Sequence, residues 1–158
     1  SAYTNLALSH QESGDIQKAI MCYKKLSEVH YSEARAHQNL GRLYKVLGNT
    51  SKAINSFNKA LKYDPENLVY YHLLVDLKKE VLNTNLKNKV NKILNSSNCT
   101  KNNHAYGNFL LSKYEQKNKN YKKEFNYLLK GPNSVVRTLF NPSFVWHIGS
   151  KKSSGPVP

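Results

Sequence analysis

The sequence predicts an all-α fold, a solenoid of antiparallel helix hairpins, and three features of the 158 residues point to it. Part of the chain repeats itself at a spacing of 34 residues, which suits one helix–turn–helix unit. Apolar residues recur at the three- and four-residue spacing of a helix. Gly and Asn interrupt these stretches where a hairpin needs its turn. Because one hairpin cannot bury its apolar face alone, we expect the hairpins to be stabilised by stacking.

The 34-residue repeat is clearest over residues 1–67. The pairs of residues that are identical at this spacing include the following seven, more than chance would readily produce: Asn5 and Asn39, Leu6 and Leu40, Gly14 and Gly48, Lys18 and Lys52, Ala19 and Ala53, Ile20 and Ile54, and Lys25 and Lys59. Two more pairs are conservative, Ala7 with Gly41 and Tyr23 with Phe57. We therefore predict two copies of the repeat in this region.

The second copy shows how such a unit would pack. Small residues let two helices approach closely, and larger ones fill the space between them. The small residues are Gly41, Ala53 and Ala60, and the larger ones are Leu40, Tyr44, Ile54, Phe57 and Leu61. Gly48 can adopt the positive φ that ends a helix, Asn49 or Thr50 can cap the next one, and Pro65 suits the first turn of the helix after that. This alternation of small and large residues resembles the tetratricopeptide repeat, which implies a right-handed superhelix.

Two weaker units follow, in residues 68–100 and 101–131, so we expect about four repeats. The predicted helices span about 2–12, 15–29, 33–47, 50–63, 66–82, 85–96, 102–117 and 120–130, and Gly131-Pro132 would stop the last one. Residues 1–131 would then form the helical array and 132–158 a poorly ordered tail. The helical pattern begins at the first residue, which is not Met, so we expect a piece of a longer chain with further repeats upstream.

Several classes of function find no support in the sequence. No apolar run approaches the roughly 20 residues that span a bilayer, so we expect no membrane association. Cys22 and Cys99 stand in no metal-ligand or disulfide pattern, and we interpret them as ordinary thiols of a cytoplasmic protein. The six histidines lack metal-ligand spacing and the ten carboxylates are scattered. We therefore predict no catalytic residues, no metal and no cofactor, in a chain that is a monomer or part of a longer chain.

The resemblance to tetratricopeptide repeats implies a concave face lined by the first helix of each hairpin. In the second repeat the inward positions outside the core are Arg35, Gln38, Asn39, Arg42 and Lys45, and the repeat spacing adds Asn5 and His72. Asn5 and Asn39 take the same place in successive repeats. Because a side-chain amide both donates and accepts, such a ladder can grip an extended peptide. The ladder breaks at Leu73, and of the carboxylate clamp found in chaperone-binding repeat proteins only Asn39 is present. We interpret the chain as a protein-interaction scaffold that binds a peptide or an adjacent domain on this face.

An alternative comes from the C-terminal part of the chain. Residues 102–131 resemble the last repeat of bacterial proteins that join such an array to a sulfotransferase domain. In that family a phosphate-binding loop, Gly-x-Pro-Arg-Ser-Gly-Thr, follows the array. Residues 149–155 are loosely similar to it, with Lys152 and Ser153 at the Arg and Ser positions but Lys151 and Ser154 in place of its Pro and Gly. The resemblance implies a parent sulfotransferase whose catalytic domain is missing from this chain, so the chain itself would not be an enzyme.

A second alternative rests on charge. The net charge is +14, and it is uneven: residues 1–67 hold nine basic and six acidic residues (+3), and 68–158 hold fifteen and four (+11). Such an excess favours anionic partners, and the tyrosines among the lysines of 101–131 could stack on a nucleic acid. These tyrosines are Tyr106, Tyr114, Tyr121 and Tyr127. Most of them also fall on the predicted core stripe, and only three of the 24 basic residues are arginine, the side chain best suited to phosphate.

Overall fold

The computed structural model describes residues 2–28 and 33–131, and within these ranges the chain is helical throughout. It forms eight α-helices and no strand there: α1 (Ala2–Glu12), α2 (Ile16–Leu26), α3 (Glu33–Val46), α4 (Thr50–Tyr63), α5 (Leu68–Leu77), α6 (Thr84–Leu94), α7 (Lys101–Lys117) and α8 (Tyr121–Lys130). A short 3₁₀ turn, Lys79–Val81, lies between α5 and α6. The predicted all-α class is confirmed. The predicted tail, 132–158, lies outside the described residues.

The helices stack in chain order. The pairs α1–α2, α3–α4 and α7–α8 form hairpins, and α2 packs on α3, α4 on α5 and α6 on α7. One buried cluster joins the first three helices, with Ala7 from α1, Tyr23 from α2 and Leu40 from α3. A second joins α5, α6 and α7 through residues such as Leu68 and Leu110. Each hairpin therefore buries its apolar face against its neighbours, which is the arrangement of a helical solenoid.

The turns inside the first two hairpins follow the sequence prediction. Gly14 ends α1 with φ of 81°, and Gly48 ends α3 with φ of 71°. Both lie in the left-handed region that residues with a Cβ avoid. The Asn49 side chain accepts a hydrogen bond from the Lys52 backbone N–H at 3.1 Å and so caps α4.

The close approach of α3 and α4 is also confirmed. Ala53, Phe57 and Ala60 are fully buried on α4. The Phe57 ring lies directly against the Cα of Gly41 on α3, so that an added Cβ there would overlap the ring carbons. Glycine at this position sets the distance between the two helices.

The single helix predicted over 66–82 is wrong at both ends. The helix begins at Leu68, where the Asn67 side chain caps it by accepting the Val69 N–H, and Pro65 therefore lies before the helix rather than in its first turn. It ends at Leu77, because Lys78 is extended with φ of −142°. Residues 78–80 are exposed, so no buried side chain holds a further helical turn in place. The predicted α2 likewise runs three residues past its observed end at Leu26, the last of them outside the described residues.

Two buried polar contacts fix the position of α7. The Asn103 amide accepts the Leu68 N–H and donates to the Glu66 carbonyl, both at 3.0 Å, and so holds the start of α5. The Lys87 ammonium of α6 lies 2.7 Å from a carboxylate oxygen of Glu115. These contacts satisfy polar groups that burial would otherwise leave without water.

Candidate partner-binding face

Helices α3, α5 and α7 present side chains to one common face. Asp76 of α5 is the contact point: its carboxylate lies 2.9 Å from the Lys113 ammonium of α7 and 4.0 Å from the Lys45 ammonium of α3. We name this the inner face, formed by Arg35, Gln38, Asn39, Arg42 and Lys45 of α3, His72 and Asp76 of α5, and Phe109 and Lys113 of α7. Asn5 of α1 joins it by the repeat spacing from Asn39.

The predicted binding residues of α3 are open to a ligand. Arg35, Arg42 and Lys45 are exposed, and Gln38 and Asn39 are half-buried. Neither of these two amides hydrogen-bonds to any other residue that the structure describes. An amide in this setting keeps its donors and its acceptor for an incoming chain. On α1, Asn5 is exposed as well.

Packing against α7 fixes the position of His72 and leaves little of its side chain exposed. Its side chain is 19% exposed, and its ring contacts Tyr106 at 5.3 Å and the edge of Phe109 at 5.1 Å between centroids. Nε2 lies 3.6 Å from an Asp76 oxygen, and Nδ1 is buried without a hydrogen-bond partner among residues 2–28 and 33–131. His72 therefore shapes the inner face at the α5–α7 contact and offers a partner little surface of its own.

Acidification should destabilise the fold through His72. Burial lowers the pKa of His72, as do Lys113 of α7 and Lys45 of α3, while Asp76 on the same helix raises it. In the unfolded chain His72 takes up a proton near pH 6.5, whereas in the folded chain it does so only at lower pH. The folded state therefore keeps its full stability above pH 6.5 and loses stability as the pH falls below that value. The slope cannot exceed about 1.4 kcal/mol per pH unit for one histidine.

Chemical denaturation at a series of pH values measures this effect. The free energy of unfolding of the His72→Phe variant should depend less on pH than that of the unmodified protein between about pH 7 and pH 5. His104→Phe is the control, since His104 is exposed on α7. An unchanged slope in the His72 variant would contradict the prediction.

A groove of about 480 Å³ opens beside Asp76, between α5, the 3₁₀ turn and the second half of α7. Val75 and Leu82 form its apolar floor, and its rim consists of Asp76, Lys79, Lys113, Gln116 and Lys117. We name it the α5–α7 groove. It continues the inner face, because Asp76 and Lys113 belong to both.

Three of the four tyrosines in the basic region 101–131 pack against the core. Tyr106, Tyr114 and Tyr127 lie against the buried cluster of α5, α6 and α7, as the core interpretation of the sequence predicted. Tyr121, by contrast, is 66% exposed. Phe125 on the same helix is also exposed, but of the four tyrosines considered for stacking Tyr121 alone is largely open.

The described part of the chain holds no cluster of side chains that suits metal binding or a reactive thiol. No group of three or more metal-ligating side chains comes together there. Cys22 is buried and Cys99 half-buried, and both are free. Burial raises the pKa of the Cys99 thiol, which keeps it in its less reactive protonated form. None of the described helices is long and apolar enough to cross a membrane.

Sequence reasoning identified the α3 part of the face and missed the α7 part. The 34-residue spacing carries Lys45 onto Lys79 and Lys79 onto Lys113, so the sequence did hold a signal for the cation of α7. The prediction did not carry the register into the last unit, because that unit matches the repeat only weakly. The pairing of Lys113 with Asp76, 37 residues away, depends on how α7 packs on α5.

Residues 1–66 match a family model described as tetratricopeptide repeat. A comparison with curated proteins finds no match. The family match covers α1 to α4 and confirms the repeat predicted for that region. Tetratricopeptide repeats generally mediate protein–protein interaction. The match does not bear on the predicted sulfotransferase relationship, whose loop at 149–155 lies outside the described residues, or on nucleic-acid binding. Both stay predictions.

Proposed function

We propose that this protein is an interaction scaffold whose inner face binds an extended segment of a partner protein. The observation that carries the proposal is the pair of half-buried amides, Gln38 and Asn39, which make no hydrogen bond to the described residues. They lie on the same helix as the exposed cations Arg35, Arg42 and Lys45. A face built in this way supplies hydrogen bonds and positive charge to a backbone laid across it.

A peptide suits this face better than a small molecule or a nucleic acid. The inner face runs over three helices rather than closing into a pocket, and extended surfaces of this kind are what stacked repeats offer to other chains. Its amides can bond to backbone groups of any sequence, while the arginines and lysines favour carboxylates. Because three of the four tyrosines in 101–131 pack against the core, the region offers a single strand little surface for stacking.

The double variant Asn39→Ala, Arg42→Ala tests the proposal. We expect it to lower affinity for the partner at least about tenfold, since it removes one amide and one cation from the centre of the face. Proteins captured by the unmodified chain would be identified by mass spectrometry, and the affinity of one of them measured by calorimetry.

The matched control is Asn58→Ala, Lys62→Ala, which removes an amide and a cation from exposed positions of α4, away from the inner face. It should bind the partner as the unmodified protein does. Circular dichroism should show equal helicity for both variants. Equal affinities for the two variants would place the binding surface elsewhere.

A further inference from the structure

We infer that the α5–α7 groove binds a partner segment that carries both a carboxylate and an aliphatic side chain. This inference rests on the proposed function, and it adds the chemistry of the segment and the place where it docks. Three observations carry it: the charges on the rim, the apolar floor, and the continuity of the groove with the inner face.

The rim of the groove is cationic. It carries three lysines, Lys79, Lys113 and Lys117, against the single carboxylate of Asp76. Lys113 pairs with Asp76 at 2.9 Å, so this carboxylate does not repel an incoming anion as a bare charge would. Lys117 donates to the Leu82 carbonyl at 3.1 Å, which holds its ammonium at the groove without neutralising it.

Lys79 is the cation most available to a ligand. It lies exposed in the 3₁₀ turn and forms no ion pair with any residue that the structure describes. Together with Lys117 it leaves two positive charges at the rim that are not balanced by an acid. Lysine is a flexible point charge, which suits a single carboxylate better than a site requiring bidentate geometry.

The apolar floor of the groove is the reason why the bound segment needs an aliphatic side chain. Val75 and Leu82 belong to the buried cluster of α5, α6 and α7 and lie at the bottom of the groove. The aliphatic stems of the rim lysines extend this apolar lining toward the solvent. An aliphatic side chain placed there would cover apolar surface that now contacts water. Gln116 adds an amide at the rim that can bond to the backbone of the same segment.

The groove also lies on the path of a chain that crosses the inner face. Lys45, at the end of α3, is 4.0 Å from Asp76, and Asp76 belongs to the groove. A segment held by the amides of Gln38 and Asn39 therefore has a continuous polar path to Lys79. Charge complementarity along this path favours an acidic segment over a basic one.

Fluorescence anisotropy with short labelled peptides on the full chain tests the inference. Four peptides alternate Glu with Leu, Glu with Ser, Ser with Leu, and Lys with Leu, each with a blocked and a free C-terminus. The free Glu/Leu peptide should bind at least about tenfold more tightly than the blocked Ser/Leu peptide, which has no carboxylate, and than the free Glu/Ser peptide, which has no aliphatic side chain. Binding of both its forms assigns the recognised carboxylate to a side chain, and binding of the free form alone assigns it to the chain terminus. A blocked Ser/Leu peptide, which has no carboxylate, that binds as tightly as the free Glu/Leu peptide would overturn the inference.

Two variants locate the binding. Lys79→Glu should weaken the Glu/Leu peptide about tenfold or more, and Lys79→Met by less. Lys92→Glu is the control, because it makes the same charge change at an exposed position of α6, outside the groove. Equal losses in Lys79→Glu and Lys92→Glu would reduce the effect to net charge and overturn the inference. In that case, partner binding that still depends on Asn39 and Arg42 would leave the proposed function standing.

Discussion

Replacing Gly41 by alanine is expected to lower the free energy of unfolding by about 2 kcal/mol. In an exposed helix the same change would raise stability by about 1 kcal/mol, because alanine is the better helix former. Here the new Cβ would lie 2.6 Å from Cδ1 and 2.8 Å from Cζ of Phe57, well inside van der Waals contact. Phe57 is fully buried, so its ring has no free space to enter. Overpacking of this kind costs up to about 3 kcal/mol, which outweighs the gain in helix propensity.

Gly107→Ala is the control that separates the effect of the Phe57 ring from the effect of adding a Cβ to any buried helical glycine. Its Cβ would lie 2.7 Å from Cδ2 of the partly exposed Leu94, whose side chain can shift, and 2.9 Å from Cδ1 of the buried Leu68. Its destabilisation should therefore be smaller than that of Gly41→Ala. Denaturant unfolding followed by circular dichroism measures both. A Gly41→Ala protein as stable as the unmodified one would mean that α3 and α4 lie further apart than the structure has them.

The first two hairpins could be predicted from the sequence because the contacts that shape them are local. The Gly41–Phe57 contact and the Gly48–Asn49 turn depend on residues close in sequence, and both recur or have counterparts 34 residues earlier. Local signals of this kind place helices and turns without knowledge of the rest of the fold. The end of α5 at Leu77 depends instead on the absence of any buried anchor at 78–80, which the spacing of apolar residues does not show.

The candidate site was predictable only in part, for the same reason. The α3 residues follow from the repeat, because Asn5 and Asn39 share a position. The surroundings of His72, with Tyr106 and Phe109 against its ring, depend on how α7 packs on α5. The pairing of Asp76 with Lys113 depends on the same interface. Contacts between the first helices of neighbouring units need the tertiary packing, which no local pattern specifies.

Removing the Lys87 ammonium is expected to cost about 3 kcal/mol of stability, more than removing its partner's charge. The pair joins α6 to α7, but its two members differ in burial: the Glu115 side chain is 4% exposed and that of Lys87 is 26% exposed. Lys87→Met therefore leaves a carboxylate in the core without its cation, which is the costly way to break a buried pair. Glu115→Gln leaves a lysine that can turn toward water, and it should destabilise less.

The pH dependence of the same pair has a definite sign. The hydrogen bond to Glu115 is the main cause that raises the pKa of Lys87, and the carboxylate's charge adds to it against the opposing effect of burial. A raised pKa in the folded state means that the stabilisation is fully present below the unfolded value of 10.5 and is lost as pH rises through the folded value. The difference in stability between the unmodified protein and Lys87→Met should therefore shrink above about pH 10.5.

A double-mutant cycle separates the pair from its surroundings. Lys87→Met, Glu115→Leu removes both charges and replaces them with apolar side chains, so it should recover most of the stability that Lys87→Met loses. If the double variant is no more stable than Lys87→Met, the loss comes from the packing of the Lys87 side chain, including its ammonium 4.6 Å from the centre of the Tyr114 ring, and not from an unpaired carboxylate.

A stable double variant can also be used in the binding experiments. It keeps α7 in place while changing no residue of the inner face, so a loss of peptide binding in it would show that Lys113 and Lys117 depend on the Lys87–Glu115 pair for their position.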